Sequence, residues 1–262
     1  MQKILIALMA VILLVLPGCS FSGQNSSLKN STNAAQKETE TQHETDMQNS
    51  ELPLSGKIIC IDAGHGVNSY NKQEPIAPNS SQTKIAFATG THGKNQTEEE
   101  LNLSVAKKLE KKLIELGADV HMTRTTHESD MTNVDRAEFA NKINADISVK
   151  IHADGIENNT VHGASMLVPS NQYINNQELC DISRSAGEII LNEVIKNTGA
   201  NNRGVIVRSD LTGFNWTKVP IVLLEMGFMT NPKEDADMET DAYQDKIAEG
   251  ISQGLILFFE EQ

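Results

Sequence analysis

The chain has 262 residues, and its 22 basic and 35 acidic side chains give a formal net charge of −13 at pH 7. This length suffices for one large domain or two small ones with a proper hydrophobic core. The acidity argues against a nucleic-acid partner, because binding to a phosphate backbone needs a basic surface. Three cysteines and a hydrophobic content of 39% exclude a disulfide scaffold and a polytopic membrane protein.

The first 18 residues have the pattern of a secretory signal peptide. Lys3 precedes an apolar run over residues 4–16, which is shorter than the ~20 residues that a membrane-spanning helix needs. The sequence Leu-Pro-Gly-Cys that ends at Cys19 is similar to the cleavage box of bacterial lipoproteins. We therefore expect residues 1–18 to be removed and Cys19 to be lipidated, which would anchor the protein at the outer face of the bacterial cell membrane. Secretion without an anchor is the alternative.

Residues 19–52 are predicted to be a disordered tether that begins at the lipidated cysteine. The segment consists mainly of Ser, Asn, Thr, Gln, Glu and Lys, and so few apolar side chains cannot offset the entropy lost on ordering the chain. Its root-mean-square reach would be roughly 30 Å. The remaining residues, 53–262, are predicted to fold as one domain.

Strand and helix patterns alternate along residues 53–262. Apolar runs predict strands at 57–61, 118–122, 146–151, 163–168, 204–208 and 219–225. Apolar side chains at helical spacing predict helices at 98–116, 133–144, 176–196 and 241–259. This alternation predicts an α/β fold, namely a single domain with a mainly parallel (mixed) twisted sheet of about six strands and with helices on both faces.

Three reactive side chains, His65, His152 and Glu225, follow or end predicted strands. Each alone has an ordinary explanation, since a histidine in a loop or a glutamate where a strand reaches water is common. In a parallel sheet, however, the carboxyl ends of the strands lie at one edge, where ligands bind. The three residues together therefore predict a site at that edge.

A fourth candidate is Glu98, at the start of the helix predicted for 98–116. Residues three or four positions apart share a helix face, so Glu98 lies above the apolar stripe that includes Leu109, whereas Glu100 faces water. A solvated run of charges is the alternative for Glu98. Two histidines and one glutamate are typical of catalytic zinc, which keeps one position for water. Glu225 remains as a proton acceptor that is not itself a ligand.

Four sequence blocks occur in the order IDAGHG, EEELNL, KIHAD and VPIVLLEMGFMTNP. Together they resemble the zinc-dependent N-acetylmuramoyl-L-alanine amidases of bacteria that have a single α/β catalytic domain. The resemblance implies one Zn2+ per chain, bound by His65, Glu98 and His152, with Glu225 as the catalytic carboxylate. It also implies peptidoglycan as the substrate, cut at the amide between the lactyl group of muramic acid and the first alanine of the stem peptide.

Residues 68–96 form a long connection, rich in Asn, Ser, Gly and Thr, between the first strand and the first helix. Val67, just before it, stands where the family usually has a second glycine. A connection of this length is usually functional or mobile. We therefore expect it to form a wall of the substrate groove with His92 near it, or else to be a surface excursion.

Two further pairs of charged residues have two interpretations each. Asp62 and Asp154 flank the histidines and are expected either to orient the imidazole rings or to cap turns. Arg203 or Arg208 could bind a stem-peptide carboxylate through two hydrogen bonds, although a surface ion pair is the simpler expectation.

Two other functions remain compatible with the sequence. A zinc peptidase that cuts within the stem peptide would use the same metal chemistry but release different chain ends. A non-catalytic surface lipoprotein would explain residues 1–52 equally well, but it predicts no metal and no need for Glu225. The sequence neither predicts nor excludes a protein activator.

Overall fold

The computed structural model describes residues 51–68 and 71–262 of the chain. The predicted signal peptide, Cys19 and nearly all of the predicted tether lie outside the described residues. Glu51–Gln262 form one compact unit, and no helix in the described ranges has the length and apolar character needed to cross a membrane.

The described residues alternate between strands and helices, as the sequence predicts. The strands are β1 (Ile58–Ala63), β2 (Gln73–Pro75), β3 (Thr83–Ile85), β4 (Asp119–Met122), β5 (Ile147–Asp154), β6 (Ala164–Pro169), β7 (Asn202–Arg208) and β8 (Ile221–Phe228). The helices are α1 (Glu98–Glu115), α2 (Asn133–Lys142), α3 (Asn171–Ile174), α4 (Gln177–Thr198), α5 (Thr212–Asn215), α6 (Pro232–Met238) and α7 (Asp241–Glu260).

The central sheet has six strands in the order β4-β1-β5-β8-β6-β7. The pairs β4–β1, β1–β5 and β5–β8 are parallel, whereas β6 pairs with β8 in the antiparallel sense and β7 is parallel to β6. The predicted mainly parallel, mixed six-stranded sheet is therefore confirmed. Strands β2 and β3 form a separate two-stranded hairpin, which the sequence analysis does not predict.

Helices cover both faces of the sheet, which also confirms the prediction. Alternate side chains of a strand point to opposite faces, and one set, including Val149 and Leu224, packs in the main core with α1, α4 and α7. The other set includes Leu223, which packs against Phe214 of α5, and Cys60, which packs against Ala140 of α2. Three long helices therefore cover one face and two shorter helices the other.

Helix α1 starts at a capping box formed by Thr97 and Glu100. The Thr97 hydroxyl accepts a hydrogen bond from the Glu100 amide, while the Glu100 carboxylate accepts one from the Thr97 amide, which satisfies two amides at the helix start. The predicted apolar stripe is buried, with Leu109 fully inaccessible to solvent. Because the helix begins here, Glu98 lies in its first turn at the carboxyl edge of the sheet.

Helices α4 and α7 pack closely at two glycines of α7. A Cβ atom on Gly254 would lie 2.6 Å from the Cα atom of Ile190, and one on Gly250 would lie 2.6 Å from the Cα atom of Val194. Atoms this close overlap, and the atoms met belong to the backbone of α4. The two glycines therefore set the distance between the helices.

We expect Gly254→Ala to lower the free energy of unfolding by about 1–3 kcal/mol because of this overlap, although alanine favours a helix by about 1 kcal/mol over glycine. Urea unfolding followed by far-UV circular dichroism measures the change. Gly187→Ala is the control, because its methyl group would meet side-chain atoms of Val168 and Met166, and we expect a smaller loss. Unchanged or higher stability of Gly254→Ala would contradict this account of the packing.

Candidate metal centre

The side chains of His65, Glu98 and His152 converge at the carboxyl edge of the sheet. Their potential ligand atoms all lie within 4.8 Å of one another. Glu98 Oε1 is 3.0 Å from His65 Nε2 and 3.0 Å from His152 Nδ1, and the two imidazole rings meet edge to face with centroids 4.8 Å apart. The structure thus brings together the three residues that the sequence analysis singles out as ligands.

The backbone around His65 is held by two buried arginines. His65 has a positive φ of 60°, a left-handed conformation that costs a non-glycine residue about 1–2 kcal/mol. Arg136 donates hydrogen bonds to the carbonyl oxygens of Ala63 and His65, at 2.8 and 2.7 Å. Arg124 donates to those of Ala63 and Gly64, at 2.9 and 2.8 Å. These charge-assisted bonds stabilise the turn that presents the His65 ring.

Backbone groups of the connection between β1 and α1 orient the His65 and Glu98 side chains. His65 Nδ1 lies 2.7 Å from the Ala88 carbonyl oxygen; since a carbonyl only accepts, Nδ1 carries the proton and a neutral ring keeps its lone pair on Nε2. The Thr91 amide donates to Glu98 Oε2 at 2.9 Å. From strand β5, the Ala153 amide also donates a hydrogen bond to Glu98, at 3.2 Å from Oε1.

Two glycines allow the backbone to approach the cluster closely. A Cβ atom on Gly64 would lie 2.3–2.6 Å from three atoms of the His152 ring. Gly90 has φ +77°, and a Cβ atom there would lie 2.6 Å from Glu98 Oε2. Any side chain at either position would displace a member of the cluster.

The protonation states of the cluster suit a metal ion, which binds neutral imidazoles and ionised carboxylates. Burial lowers the pKa of His152 to about 4, even though the hydrogen bond with Glu98 acts in the opposite direction. Burial would raise the pKa of Glu98, but the adjacent side chains of His152 and His65 outweigh it and lower that pKa well below its usual value. At neutral pH, His152 is therefore neutral and Glu98 ionised. Two imidazoles and one carboxylate fit a catalytic zinc ion, with one coordination position left for water.

Glu225 lies on β8, in register with His152 on the neighbouring strand β5. Its Oε2 atom is buried and has no hydrogen-bond partner among the described residues. Burial, followed by the charges of Glu98 and Asp154, raises the pKa of Glu225 well above its usual value, and the opposing effect of Arg208 is smaller. A carboxyl group of this kind, beside the cluster, is suited to accept and return a proton.

A cavity of about 260 Å³ adjoins the cluster and is lined by His152 and Glu225. Lys84 and Ala88, from the connection 68–96, form part of its wall. This connection therefore faces the candidate site and is more than a surface excursion.

His92 lines a different cavity of about 740 Å³, together with Asn95, Glu157 and Met229. It is therefore absent from the lining of the cavity that contains Glu225.

The two aspartates beside the histidines have other roles than orienting imidazoles. Asp62 is buried and forms ion pairs with Arg136 and Lys150 beneath the site. Although burial acts against it, these two cations lower the pKa of Asp62 well below its usual value. Asp154 accepts a hydrogen bond from the Gly155 amide at 2.7 Å. This contact agrees with the second interpretation of Asp154, that it caps a turn.

The two candidate arginines of β7 differ in their surroundings. Arg203 lies over the ring of Phe228, 5.0 Å from its centroid. Arg208 forms the expected ion pair, with Asp210, and it also lines the cavity that contains Glu225.

Three residues that act through the backbone, namely Ala88, Gly90 and Thr91, are not predicted from the sequence. Ala88 and Thr91 contribute backbone groups, which every residue has, so their residue types do not indicate them. Gly90 is the one available signal, because its left-handed φ needs glycine. Arg124 and Arg136, whose carbonyl contacts depend on the folded turn around His65, are not predicted either.

Comparisons with known proteins identify the family of this chain. Residues 59–256 match the sequence model of a family described as N-acetylmuramoyl-L-alanine amidase. The chain is 26% identical to the N-acetylmuramoyl-L-alanine amidase AmiA of Salmonella typhimurium, over 78% of this chain and 77% of that protein.

Solved structures give the same result. The amidase Ami1 from Mycobacterium smegmatis matches with a TM-score of 0.73 and 25% identity, over 81% of this chain and 100% of that one. An N-acetylmuramoyl-L-alanine amidase from Clostridium difficile 630 matches with a TM-score of 0.65 and 28% identity, over 79% of this chain and 98% of that one. The chain therefore belongs to the N-acetylmuramoyl-L-alanine amidase family and is an amidase.

Proposed function

We propose that this chain is a zinc-dependent peptidoglycan hydrolase that cleaves the amide bond between N-acetylmuramic acid and the L-alanine of the stem peptide. The observation that carries the proposal is the convergence of His65, Glu98 and His152 beside Glu225, whose buried Oε2 has no partner among the described residues. The names of the relatives, which are N-acetylmuramoyl-L-alanine amidases, support the choice of substrate.

The residues divide the chemistry between them. His65, Glu98 and His152 would hold one Zn2+, which when bound supplies polarisation of the scissile carbonyl and a lower pKa for water. Glu225 accepts a proton as the water oxygen bonds to the carbonyl carbon. It then passes the proton to the alanine nitrogen as the carbon–nitrogen bond breaks, which leaves a lactyl carboxylate and a free amine. The raised pKa of Glu225 favours holding the proton between these two steps.

The products of wall digestion distinguish this proposal from its alternatives. We expect the full chain with zinc to release new N-terminal L-alanine from purified cell wall, and a chelator to stop the release until zinc is restored. Mass spectrometry of the labelled amino termini makes the measurement. A peptidase acting within the stem peptide would expose other residues, and a non-catalytic lipoprotein would expose none. Either of these results contradicts the proposed function.

Glu225→Gln tests the role of the carboxylate. We expect it to lower kcat by at least about 10²-fold, because a positioned acid–base group typically contributes 10²- to 10⁴-fold, and to retain bound zinc, because Glu225 lies outside the ligand cluster. The rate at which new N-terminal L-alanine appears and the metal content are the measurements. Glu157→Gln, which removes the same charge from an exposed residue, is the control and should retain activity. Turnover by Glu225→Gln close to that of the unaltered chain would remove Glu225 from its role.

We also propose that the protein is a lipoprotein, held by lipidated Cys19 at the outer face of the bacterial cell membrane. The apolar run at 4–16 and the Leu-Pro-Gly-Cys sequence that follows it support this proposal.

Fractionation of bacteria that express the full chain tests the lipid anchor. We expect the unaltered chain in the membrane fraction and Cys19→Ala outside it, because the lipid provides the attachment. Cys180→Ala, which alters a buried cysteine, should fractionate like the unaltered chain. Equal distribution of the Cys19→Ala and unaltered chains would contradict lipid anchoring.

A further inference from the structure

Arg208 lies at the end of β7 and lines the same cavity as His152 and Glu225. The charges of Glu225 and Asp154 help to raise the pKa of Arg208, after the larger effect of its hydrogen bonds with Asp210. The guanidinium is thus within electrostatic reach of the candidate catalytic carboxylate, although the cluster itself does not use it.

The guanidinium is held in place and still has donors to offer. Arg208 donates from Nε to Asp210 Oδ1 and from Nη2 to Asp210 Oδ2, each at 2.7 Å. A guanidinium carries five N–H donors in a planar fork, so the two on Nη1 and the second on Nη2 are not used by Asp210. The Arg208 side chain is 37% exposed. Its orientation is therefore fixed before any ligand arrives, which reduces the entropy lost on binding.

The part of the cavity wall around Arg208 carries a net charge of about +1, from two cations and one carboxylate. Lys84 Nζ donates to the backbone carbonyl of Asp210 at 2.9 Å, so two cations, Lys84 and Arg208, lie around the single carboxylate of Asp210. We call Lys84, Arg208 and Asp210 the basic wall. The carboxylate of Glu225 lines the same cavity. A ligand with one anionic group would therefore bind with that group toward the basic wall and away from Glu225.

Apolar side chains also line this cavity. They come from the hairpin, from β6 and β8 and from the segment at α5, namely Ile85, Leu167, Leu211, Phe214 and Leu223. A concave site that combines apolar side chains with convergent polar groups is typical of small-ligand binding. The cavity has a volume of about 260 Å³.

We propose that Arg208 binds the first free carboxylate of the stem peptide beyond the scissile bond, the α-carboxylate of the γ-linked glutamate that follows the alanine. The inference rests on the proposed function, because it places the scissile amide beside Glu225. Charge-assisted N–H bonds from a guanidinium to a carboxylate are short and directional. Arg208 would therefore position the alanine nitrogen and favour stem peptides whose second residue is not amidated.

Two muramyl tripeptides test this preference. They differ only in whether the second residue carries an α-carboxylate or an α-carboxamide, and the full chain is assayed with zinc. We expect the unaltered chain to cleave the carboxylate form with about tenfold higher kcat/KM, mainly through a lower KM. This is the lower end of the effect of a charged hydrogen bond, as suits a partly exposed arginine.

Variants then assign the preference to Arg208. Arg208→Gln should bring the ratio of kcat/KM for the two substrates to about one, and Arg208→Lys should retain part of the preference because it keeps the charge. Arg203→Gln is the matched control on the same strand and should keep the ratio. Circular dichroism verifies that each variant is folded; should Arg208→Gln not fold, Arg208→Lys and the comparison of substrates by the unaltered chain still provide the test.

The outcomes separate this inference from the proposed function. Cleavage of both tripeptides at equal kcat/KM by the unaltered chain, or an unchanged ratio in Arg208→Gln, would overturn the assignment of Arg208 and leave the amidase proposal intact. Absence of new N-terminal L-alanine from the tripeptides and from purified wall would instead overturn the proposed function.

Discussion

The site depends on one buried carboxylate, that of Glu98, placed between two imidazole rings. An ionised group removed from water costs several kcal/mol unless hydrogen bonds and opposite charge compensate for it. Here the compensation comes from His65, His152 and the amides of Thr91 and Ala153. These partners belong to the loop after β1, the long connection and β5. Glu98 therefore joins three separate parts of the chain, and a bound dication would complete the same arrangement.

The fold supplies this arrangement through the parallel part of its sheet. Parallel pairing of β1, β5 and β8 places the ends of these strands at one edge, and the capping box at Thr97 starts α1 so that Glu98 faces that edge. Beneath it, Arg136 holds both the backbone of the His65 turn and the buried Asp62. The same cation, Arg136, thus stabilises the turn and contributes to the electrostatics of the floor of the site.

The sequence predicts the sheet and the cluster because strand ends and helix faces follow from short-range patterns. The apolar stripe of α1 below Glu98 and the apolar runs before His152 and Glu225 are sufficient to place these three side chains at the carboxyl edge of the sheet. Contacts between distant residues are not encoded in such patterns, which is why the pairing of Asp62 with Lys150 and the carbonyl contact of Ala88 were not predicted. The hairpin of β2 and β3 was missed because strands of three residues show no alternation, and the antiparallel direction of β6 has no local signature.

The most direct test of the central claim is the zinc content of the full chain, measured by elemental mass spectrometry after dialysis against a zinc buffer. The account predicts about one zinc per chain in the unaltered protein, since each side chain of the His65–Glu98–His152 cluster supplies one ligand. It predicts loss of this zinc in folded His152→Ala and in folded Glu98→Gln. No zinc in the unaltered chain, or full zinc occupancy in both variants, would contradict it.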